Sequence, residues 1–545
     1  MRNFFKVCTI LMVLLSYSCS NNEDQIENPV SLDLNVQKDL TELNQSLDKQ
    51  FNGVVSNRQI NIGREEGELS LNDITFEQIA EILPPSINGV LLRASHVDFH
   101  DNLVFVSYMK EGPEYLGGID IIDISNEKDP KIISRITSDQ ADFTSIKFND
   151  SKLLFTLAAD VESNPYLTAY ANLGEVYVNS DGSIDNLRIT PLSGYAAVDV
   201  APLNASSIIA LSGSNGSVTK IGTDLFNIQL ENPIEDLRSI AIANEKIAVL
   251  SGNKGLLLLN PQTLEVQQAI QTHELTPESK RTISFFGEQI LVSEGSNGVG
   301  IYNWNIPNRT LSLPIQVLSD EVYDSNDIVT NAVTTTDNFV FMANGGAGLG
   351  ISKINTLDNT VLEAGVLDTD GSVNYVKGTN KYIFLASGKG GLKIIKIQTS
   401  SGSEEFANCN EYPLYRGHAN LNVNSNEVLN YRGATTLKNL NVGGQLTYCG
   451  SLNIAHSVNI NSNGVFNMYG SLAVGRYGKN YDLNINSGSV LKIHGNLTIY
   501  GNLNLNSGSK LEFVGSDSTI HVYGRVKRNS GSQVVGDYQD TSNKL

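Results

Sequence analysis

The chain has 545 residues, more than one hydrophobic core usually supports, so we expect at least two domains. Hydrophobic residues make up 40% of the chain and charged residues 18%, and 47 glycines favour a folded, turn-rich β protein over a disordered one. The formal net charge of −20 argues against nucleic acid as a partner, because that kind of binding draws its affinity from Lys and Arg.

The N-terminal residues predict export from the cytoplasm. Arg2 and Lys6 precede an apolar run over residues 7–15, which is too short to span a bilayer, and small residues follow this run before Cys19. We interpret residues 1–18 as a signal peptide.

This segment resembles a bacterial lipoprotein signal, in which the cysteine after the cleavage zone is acylated and becomes the new N-terminus. The acidic stretch that follows resembles the export tag on surface lipoproteins of some Gram-negative bacteria. The resemblance implies a lipid at Cys19 that anchors the protein in the outer membrane, exposed at the cell surface. Ser16 and Tyr17 depart from the usual motif. Ordinary signal-peptidase cleavage therefore remains an alternative, as does a periplasmic or secreted protein.

Four cysteines are present, and two remain for the folded protein if Cys8 leaves with the signal peptide and Cys19 carries lipid. In an oxidising compartment an isolated pair is typical of a disulfide. We therefore predict a disulfide between Cys409 and Cys449, with two buried free thiols as the alternative.

Residues 19–85 are predicted to form a polar tether that ends at Pro84 and Pro85. Leu40, Leu43 and Leu47 fall at roughly helical spacing, which predicts a short helix that docks on the next domain. We expect the segment mainly to hold the folded domains away from the membrane.

Residues 86–400 contain a repeated pattern of strands. In each unit an alternating apolar strand ends in a small residue and glycine, and a second strand follows. After an opening unit, further units start near Phe143, Tyr195, Leu237, Lys280, Asn331 and Ser372. This spacing of roughly 40 residues suits four short antiparallel strands, so the seven units predict an all-β domain that is a seven-bladed β-propeller.

The opening unit contains GGIDIIDISNEKDPKIIS at residues 117–134. This stretch resembles the LVIVD repeat, a bacterial extracellular propeller repeat in which a strand of the form I-x-I-x-D-I-S precedes a turn and proline. The resemblance implies a propeller on a secreted or surface protein. It implies no chemistry, so we transfer no catalytic residue from it.

Residues 401–545 have a shorter repeat. Asn-Ser-Gly or Asn-Ser-Asn-Gly turns recur at intervals of 20–25 residues, with alternating strands between them. This pattern predicts a β-solenoid, similar to a parallel β-helix, with asparagine ladders at its corners. It broadly resembles bactofilin or filamentous-adhesin repeats, and from that resemblance we take only the architecture.

No histidine or cysteine group has the spacing of a zinc site, and we predict no metal and no cofactor. His96, Asp98 and His100 would share one face of a strand and could approach a metal, but a packed or solvated strand face is the favoured interpretation. Two calcium-like stretches, at residues 179–182 and 368–371, lack the first oxygen ligand of a complete loop, so we interpret them as hairpin turns.

Two further groups of side chains were considered. Asp120 and Asp123 are three residues apart, so a strand directs them to opposite faces, and we expect Asp123 to bond the turn amides beside Ser125. Tyr302 and Trp304 share a strand face and could stack on a sugar, but core packing between blades is the favoured interpretation.

These features favour a surface protein that is not an enzyme and that binds a glycan or a protein partner or serves as a scaffold. An extracellular polysaccharide lyase or hydrolase is the alternative, and a cluster of Asp, Glu, His and Tyr at the propeller mouth would favour it. A third hypothesis is self-association through stacking of solenoid ends.

Overall fold

A computed structural model describes residues 24–25, 32–48, 53–54, 56–59 and 74–545, apart from short gaps at 128, 165, 180, 277–279, 318–323, 356–359, 370, 400–408, 410–411, 477–479 and 515–517. The predicted signal peptide and Cys19 lie outside the described residues, and their roles stay predictions. No helix within the described ranges has the length and apolar character needed to cross a membrane.

Short elements precede the propeller in the chain. They are helix α1 (Leu40–Leu43), a 3₁₀ turn (Asn44–Ser46), and the strands β1 (Asp24–Gln25), β2 (Asn35–Gln37), β3 (Leu47–Asp48), β4 (Gly53–Val54), β5 (Ser56–Gln59), β6 (Ile74–Ile82), β7 (Ser86–Ile87) and β8 (Val90–Leu91). The carboxylate of Asp39 caps α1 by accepting a hydrogen bond from the backbone N–H of Thr41 at 2.9 Å. One helical turn of the predicted helix forms, and Leu43 packs on the folded domain, whereas Leu40 is exposed and Leu47 lies in β3.

Seven antiparallel sheets follow, and each is one blade. The strands of the first four blades are β9 (Arg93–His100), β10 (Leu103–Met109), β11 (Gly117–Asp123) and β12 (Lys131–Ser138); β13 (Ala141–Asn149), β14 (Lys152–Ala159), β15 (Ala171–Val178) and β16 (Ile184–Leu192); β17 (Ala197–Asn204), β18 (Ser207–Ser212), β19 (Ser217–Gly222) and β20 (Asn227–Pro233); β21 (Leu237–Ala243), β22 (Lys246–Ser251), β23 (Gly255–Leu259) and β24 (Val266–Ile270). Those of the last three blades are β25 (Ile283–Phe286), β26 (Gln289–Ser293), β27 (Val299–Asn303) and β28 (Arg309–Leu313); β29 (Ile328–Thr335), β30 (Phe339–Gly345), β31 (Leu349–Asn355) and β32 (Thr360–Asp368), preceded by a 3₁₀ turn (Ser325–Asp327); and β33 (Tyr375–Gly378), β34 (Tyr382–Ala386) and β35 (Leu392–Thr399). The predicted seven-bladed propeller is confirmed.

The first strands of the blades form a closed ring around an axial channel. Each of them contacts the first strand of the next blade, and β33 contacts β9. The hydroxyl of Ser95 bonds the carbonyl of Phe143 at 3.3 Å, and that of Thr144 bonds the carbonyl of Ala197 at 2.6 Å. The starts of these strands therefore lie at the same end of the channel, which we call the entry mouth.

Middle strands are apolar on both faces because each blade packs between two others. β23 is Gly-Leu-Leu-Leu-Leu, and all of its residues are buried. Leu257 and Leu259 pack toward the third blade, whereas Leu256 and Leu258 pack toward the fifth. Each fully buried leucine side chain contributes about 1.5–3 kcal/mol. Because both faces are buried, such strands do not alternate between polar and apolar residues.

The predicted tether is wrong for the part of residues 19–85 that the structure describes. β6 pairs with β35 and supplies the outer strand of the seventh blade. β2 adds to β12, β5 adds to β32, and β3 and β4 add to β6. An outer blade edge carries unpaired N–H and C=O groups that these strands satisfy. The propeller therefore begins before residue 86, at β6 or earlier.

The C-terminal domain is a parallel β-solenoid of about six coils, as predicted. Its strands are β36 (Asn420–Val423), β37 (Val428–Leu437), β38 (Asn439–Val442), β39 (Gln445–Ile454), β40 (Val458–Ile460), β41 (Val465–Val474), β42 (Leu483–Ile485), β43 (Val490–Ile499), β44 (Leu503–Leu505), β45 (Lys510–Phe513), β46 (Thr519–Val522), β47 (Val526–Arg528), β48 (Gln533–Val535) and β49 (Gln539–Asp540). The even-numbered strands β36 to β44 form one sheet that ends with β47, and the longer strands form a second sheet around a shared apolar core.

Each long strand bends at a glycine, and these glycines stack in a column. Gly433, Gly450, Gly470 and Gly495 pair in register and have φ between +117° and +137°. A Cβ atom on Gly470 would lie 2.2 Å from the carbonyl oxygen of Gly450. Only glycine fits here, because both the backbone angle and the close approach exclude a side chain.

Asparagine side chains form ladders between coils. Asn422, Asn441, Asn459, Asn484 and Asn504 are joined in sequence by amide hydrogen bonds of 2.7–3.0 Å. A second ladder runs along the predicted corners at residues 486, 506 and 529. These bonds satisfy polar groups that stacking would otherwise desolvate.

Cys409 and Cys449 form a disulfide with a Cα–Cα distance of 5.8 Å, which confirms the predicted bond over two free thiols. It ties the segment before the first coil to β39. Closing a loop of 40 residues contributes about 4 kcal/mol on the chain-entropy model.

Candidate functional site in the axial channel

Charged side chains from several blades meet in the axial channel, and β9 supplies two of them. His96 and Asp98 alternate along β9, and both are buried. His100 lies at the end of the strand and is exposed, near Asp101. The three side chains therefore do not share one environment, although the sequence places them on one strand face.

Asp98 lies between two lysines of neighbouring blades. Its Oδ1 atom is 3.2 Å from the Nζ atom of Lys147 and 3.1 Å from that of Lys377, and its Oδ2 atom accepts a hydrogen bond from the backbone N–H of Phe148 at 2.9 Å. Burial alone would raise the pKa of Asp98, but the two lysines outweigh it and hold the pKa below its ordinary value. Asp98 is thus a fixed negative charge.

Two lysines of the innermost strands are partly accessible. The side chains of Lys147 and Lys377 keep 32% and 27% of their surface accessible, although both lysines lie on the innermost strands. Because the outside of the propeller is several strands away, this accessible surface faces the channel.

His96 is neutral at physiological pH. Burial, and then the charges of Lys280, Lys147 and Lys377, lower its pKa well below the usual value. Its ring lies 3.9 Å from that of Tyr375, centroid to centroid. Burial also raises the pKa of Tyr375 well above its ordinary value, so its hydroxyl keeps its proton.

Asp199 is held by four hydrogen bonds. The hydroxyls of Ser145 and Ser239 donate to it at 2.9 Å each, and the backbone N–H groups of Val200 and Ile240 donate at 3.0 Å each. These donors come from three successive blades, so the carboxylate joins the blades around the channel.

Two adjacent cations, Lys280 and Arg281, lie at the entry mouth. The Nζ atom of Lys280 reaches from the fifth blade to the second and donates to the carbonyl of Thr144 at 2.6 Å. Burial lowers the pKa of Lys280 to about 8. Arg281 donates from Nη1 to Asn331 Oδ1 at 2.6 Å, and burial, together with the charge of Arg238, lowers its pKa to about 10.

Neither of these cations forms an ion pair with a residue that the structure describes. Arg281 is only 3% exposed, and its buried Nε atom has no hydrogen-bond partner among the described residues. Arg238, in contrast, pairs with Asp236 at 2.6 Å. The entry mouth therefore holds two cations without a direct ion pair; the charge of Asp199 acts on Lys280, whereas no carboxylate of the described residues acts on Arg281 in this way.

The predicted sugar-stacking pair needs a correction at Tyr302. Its side chain is 1% exposed, and its hydroxyl donates to Glu294 Oε1 at 2.5 Å inside the fifth blade, where Glu294 also pairs with Arg309. Tyr302 therefore packs in the core and offers no ring face to a ligand. Trp304 is half-buried beside Phe285, and its role in ligand binding stays a prediction.

Asp123 accepts a hydrogen bond from the backbone N–H of Ser125 at 2.8 Å, as predicted, while Asp120 turns inward to pair with Arg135. The part of the chain that the structure describes contains no group of three or more His, Cys, Asp or Glu residues arranged to hold a metal ion.

Asp142, which lies at the start of β13, makes the stability of the propeller depend on pH. Burial raises its pKa to about 7, and the backbone N–H of Leu116 donates to it at 3.1 Å. Between about pH 4 and pH 7 the native state holds a proton that the unfolded chain releases, so stability falls as the pH rises through this range.

We expect the thermal midpoint of Asp142→Asn, measured relative to that of the wild type, to be higher at pH 8 than at pH 5. The wild type loses stability over this range as Asp142 becomes charged, whereas the amide stays neutral. Thermal midpoints at both pH values measure this. The control is Asp139→Asn, at an exposed position on the preceding turn. An equal change in both variants would contradict the assignment.

Sequence reasoning singled out His96 and Asp98 but missed their partners. Lys147, Asp199 and Lys377 are charged residues on the first strands of their blades, as Asp98 is, and this was the available signal. Their meeting in the channel depends on ring closure, which no local pattern reveals.

Comparison with known proteins gives only distant similarity. No family model matches the chain, and no curated protein is similar to it. Among solved structures the chain is similar to the computationally designed Ika8 protein, with 10% sequence identity, a TM-score of 0.37, and coverage of 56% of this chain and 96% of that one. It is also similar to the WD40 domain of Neurospora crassa Pan2, with 12% identity, a TM-score of 0.39, and coverage of 57% and 90%. Neither similarity carries an argument about function.

Proposed function

We propose that the protein is a cell-surface lipoprotein that binds a glycan or protein ligand without transforming it. The propeller is the binding domain, and the solenoid is a stalk or a second contact surface. The anchor is the lipid predicted at Cys19, and the resemblance to LVIVD repeats supports a location outside the cell.

The observation that carries this proposal is the way in which the two channel carboxylates are held by side chains of neighbouring blades. Asp98 is held charged by Lys147 and Lys377, and Asp199 is engaged by four hydrogen-bond donors. General acid and base catalysis needs a group whose pKa lies near the working pH and which can exchange its proton. Asp98 is instead a fixed charge, and the oxygens of Asp199 are occupied by hydrogen bonds between blades, which suits recognition.

An enzyme acting on polysaccharide is the second candidate, and one observation favours it. His96, Asp98 and Tyr375 meet in the channel, which resembles the cluster of Asp, Glu, His and Tyr expected for such an enzyme. Among these three, His96 is the candidate base, since it is neutral and its pKa is lowered.

The test uses the protein with a panel of bacterial, algal and host polysaccharides, with and without EDTA. Retention on the polymer and the appearance of new chain ends are both measured. We expect retention without new ends, and we expect Trp304→Ala to weaken retention if the ligand is a glycan that stacks on this ring. New chain ends that disappear in His96→Ala would replace the proposal with the enzyme.

A further inference from the structure

We infer that the entry mouth of the axial channel binds a small oxyanion, carried by a carboxylate or a phosphate group, through Lys280 and Arg281. This inference rests on the proposed binding function and specifies the chemistry of the ligand. The chain as a whole carries a net charge of −20, whereas these two adjacent side chains are cationic.

The first argument is the lack of charge compensation. A buried cation is costly unless a carboxylate or several acceptors compensate it, and protein structures normally supply these. Arg281 is nine-tenths buried or more, yet its contacts are two neutral acceptors, the carbonyl of Lys280 at 3.0 Å and the amide oxygen of Asn331 at 2.6 Å. A bound anion would supply the missing charge.

The second argument is the contrast with the other charged groups of the channel. Asp98 has two lysines, and Asp199 has four donors. Arg238, next to Arg281, has Asp236. Lys280 has the charge of Asp199 nearby, whereas Arg281, the next residue in the chain, has only neutral acceptors among the described residues.

The third argument is the supply of donors. The ammonium group of Lys280 has three N–H donors, and one bonds the carbonyl of Thr144. The Nε atom of Arg281 is buried without a partner among the described residues. An oxyanion offers several acceptor atoms in a compact group, and guanidinium and ammonium groups bind carboxylate and phosphate alike. The pKa of Lys280, about 8, keeps most of the ammonium protonated at neutral pH.

Calorimetric titration of the full chain tests the inference. The probes are sodium glucuronate, inorganic phosphate and, as an uncharged control, glucose. We expect binding of at least one anion and none of glucose. Arg281→Gln should weaken anion binding by at least about tenfold, the usual effect of losing a hydrogen bond to a charged group. Lys280→Met should act in the same direction.

The matched control is Arg528→Gln, which removes an exposed arginine from the solenoid and should leave affinity within about twofold. Folding is checked by the thermal midpoint, which should stay or rise in Arg281→Gln because an uncompensated buried cation is removed. Binding of glucuronate alone would identify a carboxylate ligand, and binding of phosphate alone a phosphorylated one.

No binding of either anion, or equal affinity in Arg281→Gln and the wild type, would overturn the inference. These results are separate from the polysaccharide test. New chain ends would overturn the proposed function and leave the oxyanion site in place, whereas loss of the oxyanion site would leave a binding protein with a different ligand.

Discussion

Glu294→Ala is expected to lower the free energy of unfolding of the propeller by about 3 kcal/mol. The side chain of Glu294 has no exposed surface, and it accepts hydrogen bonds from the hydroxyl of Tyr302 and the backbone N–H of His273 and pairs with Arg309. Removing one partner of a buried ion pair leaves the other uncompensated. We expect the lower end of the usual range, because 27% of the Arg309 side chain reaches solvent.

Fluorescence measures this effect directly, because Trp304 is the one tryptophan of the chain and lies in the same blade. Denaturant unfolding followed at this residue reports on the propeller. The matched control is Glu288→Ala, which removes an exposed glutamate that pairs with Lys246 and should leave the transition unchanged. Equal shifts in the two variants would show that burial of Glu294 is not what stabilises the blade.

Gly470→Ala is expected to destabilise the solenoid by about 4 kcal/mol or more. The residue has φ of +117°, which an L-residue with a Cβ atom adopts only with strain, and the new Cβ would meet the carbonyl oxygen of Gly450 at 2.2 Å. The coil cannot move away without breaking the parallel pairing of β39, β41 and β43.

The two domains can be followed separately in this experiment. Circular dichroism reports on all strands, whereas Trp304 reports on the propeller alone. We expect Gly470→Ala to lower the unfolding midpoint of the solenoid that is measured by circular dichroism. The unfolding midpoint measured by Trp304 fluorescence should stay the same. The control is Gly508→Asn at an open corner, where φ is +69°, because Asn463 already adopts +66° at a corresponding turn. A control as damaging as Gly470→Ala would contradict the role of the glycine column.

The two repeat architectures could be predicted because each repeat places its strands and turns at a regular spacing. Leu237, one of the predicted unit starts, is the first residue of β21. The N-terminal contribution to the propeller could not be predicted, because β6 precedes the other blade strands in the sequence and pairs with β35, the last of them. A strand that pairs so far away leaves no local periodic signal.

The candidate site was predictable only in part. His96 and Asp98 were predicted as candidate site residues because they are polar residues on one strand face. Lys280 was named only as the start of a repeat unit. Its importance comes from its reach across the channel to Thr144, which depends on the curvature of the whole ring. Tyr302 packs against the adjacent blade, which is the favoured of its two interpretations, and its weaker assignment as a ligand-binding residue is wrong.

The pairing of β6 with β35 also means that β6 is synthesised well before the strand with which it pairs. The first of these strands emerges roughly 310 residues before its partner, counted from Ile82 to Leu392. At ~5–20 residues per second, β6 waits about 15–60 s with an exposed edge. During that interval the edge can pair with another chain. A cell that makes this protein therefore needs a holding chaperone or a delay in release, and shortening the wait by moving β6 to follow β35 through circular permutation would relieve that need.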